Sequence, residues 1–189
     1  MEEKSIKSTS PFFCPTSEAP PLRDVERGRM GGAVRSRGFR NNNPLNIRHG
    51  ESHWLHKAKV QTDPSFVVFE EMKWGYRAAW KLLDTYRLRL ASEGKPFNIH
   101  NIVSRWAPPT ENNTAAYILR VVKISGIREF QQLSEPGKRG NQLMKVLKGM
   151  TVVENGIRED QVPMDAITDG YYLAFPYGWI EKEPLFPEV

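Results

Sequence analysis

Two carboxylic acids, Glu111 and Asp63, stand in settings that could support acid–base chemistry. Glu111 ends the run Arg105-Trp-Ala-Pro-Pro-Thr-Glu111, and a rigid loop beside an aromatic ring can desolvate a carboxylic acid and raise its pKa. If both acids face one cleft, they could form the acid and base pair of a glycoside hydrolase. Each also has a structural alternative. Glu111 could begin a helix and interact with its dipole, and Asp63 could form a turn before Pro64.

Polar and aromatic residues that could bind a ligand surround an unusual stretch, Arg37-Gly-Phe-Arg-Asn-Asn-Asn-Pro-Leu-Asn-Ile-Arg48. Asn side chains compete for backbone hydrogen bonds and Pro removes a donor, so this run predicts a tight turn stapled by side chains. We expect Asn43 and Asn46 to fix the turn, which could form the floor of a site for a polar ligand or could simply connect the N-terminal arm to the domain. Arg48 could bind an anion, although isolated Arg residues are usually solvated or paired.

The tryptophans allow two interpretations. Trp54 and Trp106 could stack on sugar rings, whereas burial in a well-packed core is the commoner role of an aromatic side chain. Trp74 and Trp80 fall on a helical stripe, which favours the core for both.

Other common catalytic and metal-binding patterns do not occur in the sequence. It has no glycine-rich phosphate loop, no Gly-x-Ser-x-Gly and no Cys/His pair. The four histidines have no Cys partners and form no HExxH pattern, and the single cysteine, Cys14, excludes an intrachain disulfide. We therefore expect no metal and no cofactor.

Hydrophobic periodicity predicts four helices, over residues 73–92, 98–106, 112–125 and 139–150. The first carries a stripe from Tyr76 to Leu90 and should end at Gly94. Asn98 is a suitable N-cap for the second helix, and Gly126 a suitable stop for the third.

Residues 44–70 suggest β structure. Apolar and polar residues alternate from Leu45 to His49, and the run Phe66-Val-Val-Phe69 follows a turn signal at Asp63-Pro64. These patterns predict a small β-hairpin or three-stranded ribbon, and with the helices they predict a mainly α protein of the α+β class.

Charge and composition divide the chain into three parts: an extended arm over residues 1–36, a compact domain over 37–150, and an acidic, aromatic extension over 151–189. The arm is rich in Pro, Ser and Gly. Residues 41–149 carry 17 Lys/Arg and 9 Asp/Glu, and residues 150–189 carry 2 and 8. A basic central domain favours an anionic partner such as nucleic acid or a bacterial cell wall. Nucleic acid is the weaker choice, because the basic residues are scattered and no reader motif is present.

The sequence also gives expectations about location. It has no run of 18 apolar residues, so we expect no membrane span, and no apolar segment typical of a signal peptide follows its N-terminus. If the protein acts outside a cytoplasm, another vehicle must carry it there.

An ordered set of motifs over about residues 37–127 resembles a family of phage virion proteins described as structural proteins or peptidoglycan hydrolases. The set comprises the stretch Arg37–Arg48, Trp54, Gln61-Thr-Asp63, Phe66-Val-Val-Phe69, Gly75-Tyr-Arg-Ala78, Tyr86 and Arg105-Trp-Ala-Pro-Pro-Thr-Glu-Asn-Asn-Thr-Ala-Ala-Tyr117. The resemblance implies location in the virion, peptidoglycan as substrate, and other virion proteins as partners of the two terminal segments. It also implies that the Arg37–Arg48 stretch, with Asn43 and Asn46, forms one wall of a glycan groove, and it adds Tyr117 to the expected substrate-binding residues.

A looser similarity to glucosaminidases and lytic transglycosylases implies a lysozyme-like fold and cleavage of the β-1,4 glycan strand. Those enzymes carry their catalytic Glu on a helix before the Asn-rich segment. This chain offers only Glu2, Glu3, Glu18 and Glu26 there. Either Glu111 or Asp63 therefore serves instead, or the domain is a non-catalytic structural protein with a degenerate hydrolase fold.

Overall fold

The computed structural model describes residues 35–110, 112–134 and 141–176. These residues form six α-helices: α1 (Arg37–Arg40), α2 (Met72–Ser92), α3 (Ile99–Trp106), α4 (Thr114–Ser125), α5 (Asn141–Asn155) and α6 (Met164–Ala174). A 3₁₀ turn at Glu159–Gln161 precedes α6. The mainly helical class is therefore confirmed. The predictions for the arm up to residue 34, for Glu111, and for residues 177–189 lie outside the described residues.

The longest helix, α2, forms the centre of the core. Its predicted stripe is buried from Tyr76 to Leu90, and Trp80 is fully enclosed. At its N-terminal end, Gly75 packs directly on the Asn-rich turn, since a Cβ at this position would lie 2.1 Å from the carbonyl oxygen of Asn42. The chain leaves the helix through Gly94 at φ +66°, as its position predicted.

Both α3 and α4 begin and end close to the predicted residues. The Asn98 side chain accepts a hydrogen bond from the backbone N–H of Asn101, and Asn113 does the same for Ala116. These are N-caps that satisfy otherwise unpaired donors of the first turn. Gly126 ends α4 in the left-handed conformation, so this predicted stop is confirmed.

The fourth predicted helix, α5, is longer than its pattern suggested. It continues through residue 150, where the sequence placed a domain boundary, and ends at Asn155. The aromatic segment beyond it forms α6, which packs on α2 while α5 packs on α4. The Trp80 indole N–H donates to the carbonyl oxygen of Ile167 at 3.1 Å, and this bond joins the first part of α6 to the centre of the core.

The predicted β-hairpin is not confirmed. Within the described residues, residues 44–70 form only two isolated antiparallel bridges, Arg48 with Phe66 and Lys57 with Phe69. Side-chain amides occupy backbone groups that a ladder would use. Asn43 donates to the carbonyl oxygen of Val67, and Gln61 both donates to and accepts from the backbone of Val68. This competition keeps the segment an irregular loop.

No described helix is both long enough and apolar enough to cross a bilayer.

Candidate active site around Glu154

One carboxyl group, that of Glu154 near the end of α5, is enclosed by hydrogen-bond donors from three other segments. Its Oε1 atom accepts from the indole Nε1 of Trp106 and from the hydroxyl of Tyr117, both at 3.0 Å. Its Oε2 atom accepts from the amide Nδ2 of Asn46 at 2.9 Å. Three of the predicted substrate-binding residues thus meet at an acid that the sequence analysis did not single out.

Burial raises the pKa of Glu154 above its ordinary value, and the hydrogen bonds from Asn46, Tyr117 and Trp106 oppose that rise. Among the described residues, no Lys or Arg forms an ion pair with this carboxylate to offset its desolvation. The position near the C-terminal end of α5 also disfavours a negative charge, because the partial charge of that helix end is itself negative.

Each donor is placed by a different local structure. Trp106 is the last residue of α3, and Tyr117 lies one turn into α4. The two residues are joined by the loop that contains Glu111. Trp106 is nearly fully buried and meets the ring of Tyr86 edge to face. The indole ring is therefore fixed in the core and points only its N–H at the carboxyl group.

The third donor, Asn46, projects from the Asn-rich turn with φ at +50°, a conformation that Asn tolerates better than most residues. Asn43 holds this turn in place. Its side chain is fully buried, donates to the carbonyl oxygens of Ile47 and Val67, and accepts from the N–H of Ile47. The prediction that Asn43 fixes the turn is confirmed, and its amide is occupied by these hydrogen bonds within the protein.

The Asn46 amide has an unused acceptor. Its Oδ1 atom is buried and has no hydrogen-bond partner among the described residues, whereas its Nδ2 atom donates to Glu154. An Asn amide can rotate to exchange these two atoms. A protonated Glu154 could then donate to Asn46, so the site can satisfy either protonation state of the acid.

Asp63 lies in a different environment. Arg37 donates to both carboxylate oxygens, at 2.6 and 2.7 Å, and Asn41 and the backbone N–H groups of Ser65 and Phe66 donate as well. The Arg37 hydrogen bonds hold the pKa of Asp63 far below its usual range. An acid held ionised in this way is a poor proton donor, and its contacts favour a structural role that joins α1 to the loop.

The remaining predicted site residues form no hydrogen bond or ion pair with the Glu154 carboxyl group, as far as the structure describes them. The Arg48 guanidinium lies over the ring of Phe66, 5.3 Å from its centroid, and Trp54 is half-buried against the core. No group of His, Cys, Asp and Glu within the described ranges is arranged to hold a metal ion.

The sequence did contain a signal for Glu154. Leu143, Leu147 and Met150 are buried on one stripe of α5, and the next position of that stripe is Glu154, at a spacing of four residues. An acid on the buried face of an amphipathic helix is unusual. The helix pattern was predicted to end at residue 150, so the acid lay outside the segment under consideration.

A half-buried carboxyl group of raised pKa, surrounded by neutral donors, keeps its proton to a higher pH than an exposed Glu and can release it to a bound substrate. This is the chemistry that a general acid requires.

No protein-family model matches the chain. The sequence is similar to Protein P5 of Pseudoalteromonas phage PM2, with 34% identity over 146 residues that cover 76% of this chain and 84% of P5.

Proposed function

Because the chain belongs to the family of Protein P5 of Pseudoalteromonas phage PM2, we propose that it is a phage virion protein that cleaves the glycan strand of peptidoglycan during cell-wall penetration. The relationship confirms the prediction that this is a phage protein. It also supports the predicted location in the virion and the prediction that other virion proteins are its partners. Cleavage, the lysozyme-like character of the domain, and peptidoglycan as substrate belong to the proposal.

The Glu154 site is the observation that carries this proposal. A protonated Glu154 would donate its proton to the glycosidic oxygen as the bond between that oxygen and the sugar carbon breaks. The leaving sugar keeps the proton as a hydroxyl group, and Glu154 is left ionised. A water molecule adds to the sugar carbon, and the proton that this water loses restores the acid. Trp106, Tyr117 and Asn46 then stabilise the new carboxylate through the three hydrogen bonds that they already make.

Glu111 remains a second catalytic candidate, because its place in the chain lies between Trp106 and Tyr117. Asp63 remains a candidate as well, although its contacts favour a structural role. Arg48 and Trp54 complete the proposed glycan-binding set, and Asn43 contributes to it indirectly by fixing the turn. Replacement of each acid by its amide separates these roles, because the amide keeps the shape of the side chain and removes the proton chemistry.

The decisive experiment measures the turbidity of purified peptidoglycan with the full chain and with Glu154→Gln. The expected result is clearing by the wild-type protein and a loss on the order of 10²–10⁴-fold in the variant, the usual size of a general-acid contribution. Glu159→Gln is the matched control, since it makes the same chemical change at an exposed position five residues away. Full activity of Glu154→Gln would show that Glu154 is not the catalytic acid. The parallel variant Glu111→Gln would then test whether Glu111 has that role.

The alternative is a non-catalytic virion protein that docks through its terminal segments. The observation that favours it is the completeness of the Glu154 hydrogen bonds, which would also suit a buried structural anchor. This alternative predicts a wild-type protein that assembles into particles and leaves peptidoglycan intact. Deletion of residues 1–34 or 177–189 should then prevent assembly.

A further inference from the structure

The residue after Glu154, Asn155, joins three parts of the fold through one side-chain amide. Its Nδ2 atom donates to the carbonyl oxygen of Pro44 at 2.7 Å and to that of Thr151 at 2.9 Å. Its Oδ1 atom accepts from the hydroxyl of Ser36 at 2.7 Å. Asn155 thereby connects the last turn of α5 with the Asn-rich turn and with the residue that precedes α1.

Space for this amide depends on Gly38. A Cβ at position 38 would lie 2.5 Å from Asn155 Oδ1 and 3.1 Å from Asn46 Oδ1. The backbone of α1 therefore lies against both Asn side chains. No larger residue could occupy position 38 without moving them apart.

The contact with Pro44 matters because Pro44 precedes Asn46 by only two residues. Asn46 donates to Glu154 Oε2, and its own backbone N–H donates to the carbonyl oxygen of Asn43 at 2.9 Å. Two adjacent residues of α5 therefore hold the same turn, Glu154 through the Asn46 side chain and Asn155 through the Pro44 backbone. A shift of the turn away from Asn155 would carry the Asn46 amide away from the carboxyl group.

We infer that Asn155 is a positioning residue, which holds the Asn46 amide against the Glu154 carboxyl group through its hydrogen bond to Pro44. Its effect on catalysis rests on the proposed function, whereas its effect on the Glu154 carboxyl group does not. Asn155 makes none of the hydrogen bonds to that carboxyl group itself.

Removal of the Asn155 side chain should change the pKa of Glu154 in one direction, upward. The Asn46 hydrogen bond lowers the pKa of Glu154 against the effect of burial, so its loss should raise that pKa further. Tyr117 is the only titratable side chain among the described groups that donate to this carboxyl. The phenol ordinarily titrates far above neutral pH, so the readout reports Glu154 alone.

The test compares Asn155→Ala with Ser36→Ala in the full chain. Ser36→Ala removes the bond to Asn155 Oδ1 and the cap that the Ser36 hydroxyl gives to the N–H of Phe39, but it leaves the bond from Nδ2 to Pro44. It therefore perturbs the same region without freeing the turn. The pKa of Glu154 is measured by NMR of the side-chain carboxyl carbon, which requires no activity. Asn155→Ala should raise this pKa and Ser36→Ala should leave it unchanged.

A double-mutant cycle tests whether Asn155 affects Glu154 through Asn46. Asn46→Gly removes the amide, and glycine adopts the positive φ of this position without strain. If Asn155 acts through Asn46, Asn155→Ala should change the pKa of Glu154 no further in the Asn46→Gly background. An unchanged pKa in Asn155→Ala, or additive shifts in the cycle, would overturn the inference. Should Asn155→Ala not fold, Asn155→Ser replaces it, because the shorter hydroxyl side chain lacks the amide that donates to Pro44.

Peptidoglycan clearing is the second readout. Asn155→Ala should lower kcat on the order of 10–100-fold, the cost of a misplaced catalytic group, and should move the alkaline limb of the pH profile upward. If the wild-type protein does not clear peptidoglycan, the proposed function fails, but the NMR titration still decides whether Asn155 positions the carboxyl group.

Discussion

Replacement of Glu154 by Gln should stabilise the protein at neutral pH while it abolishes the proposed chemistry. The folded state disfavours the charged carboxylate, because burial raises its pKa above the ordinary value of 4.5. A raised folded-state pKa contributes stability that is fully present below the unfolded pKa and is lost as the pH rises through the folded pKa. Wild-type stability should therefore decline as the pH rises from about 4.5 through that raised value, and the full penalty applies above it.

Gln removes this penalty and fits the existing donors. Its Oε1 atom can accept from Trp106 and Tyr117, and its Nε2 atom can donate to the unused Oδ1 of Asn46 after rotation of that amide. Each unit of pKa elevation corresponds to about 1.4 kcal/mol at a pH above both values. For a chain of this length, 1 kcal/mol changes Tm by about 2–4 °C.

The assay is thermal unfolding of both proteins, followed by circular dichroism from pH 4 to pH 8. We expect the Tm of Glu154→Gln to exceed that of the wild type at pH 8, and the difference to shrink towards pH 4. Glu159→Gln provides the control for the change in net charge. A Tm difference that stays constant across this range would refute the assignment of a raised pKa, and a destabilised variant at pH 8 would refute the fit of the amide.

Two further predictions concern the framework of the site. Asp63→Asn should lower the free energy of unfolding by about 1–3 kcal/mol, because Arg37 and two backbone donors lose a charged acceptor. The depressed pKa of Asp63 implies that wild-type stability from this group is present at neutral pH and is lost as the pH falls below about 4, so the two proteins should converge in acid denaturation. Gly75→Ala should cost about 1–3 kcal/mol or more in urea denaturation, because its Cβ would meet the Asn42 carbonyl and the Pro44 ring. Gly149→Ala is the matched control, since this glycine is also helical and its Cβ would come no closer than 3.2 Å to another atom. Equal losses in the two glycine variants would contradict the packing explanation.

Much of the helical framework could be predicted because its signals are local. The apolar stripe of α2, the Asn caps of α3 and α4, and the stop at Gly126 depend on residues within a few positions of one another. The β-hairpin is not confirmed, because an alternating pattern of apolar and polar residues cannot reveal which partner a backbone group bonds. Here, the side-chain amides of Asn43 and Gln61 bond the backbone carbonyl groups of Val67 and Val68. Asn43 is distant from Val67 in sequence, and Gln61 lies outside the expected strands.

The sequence by itself determined the mainly helical class, the stapled turn, and three of the polar groups that meet at the candidate site. Only the tertiary structure identified the acid that they surround. Glu154 is separated from Asn46, Trp106 and Tyr117 by 108, 48 and 37 residues. The raised pKa of a carboxyl group depends on the water that distant segments exclude and on the donors that they supply, and neither is encoded in the residues beside it.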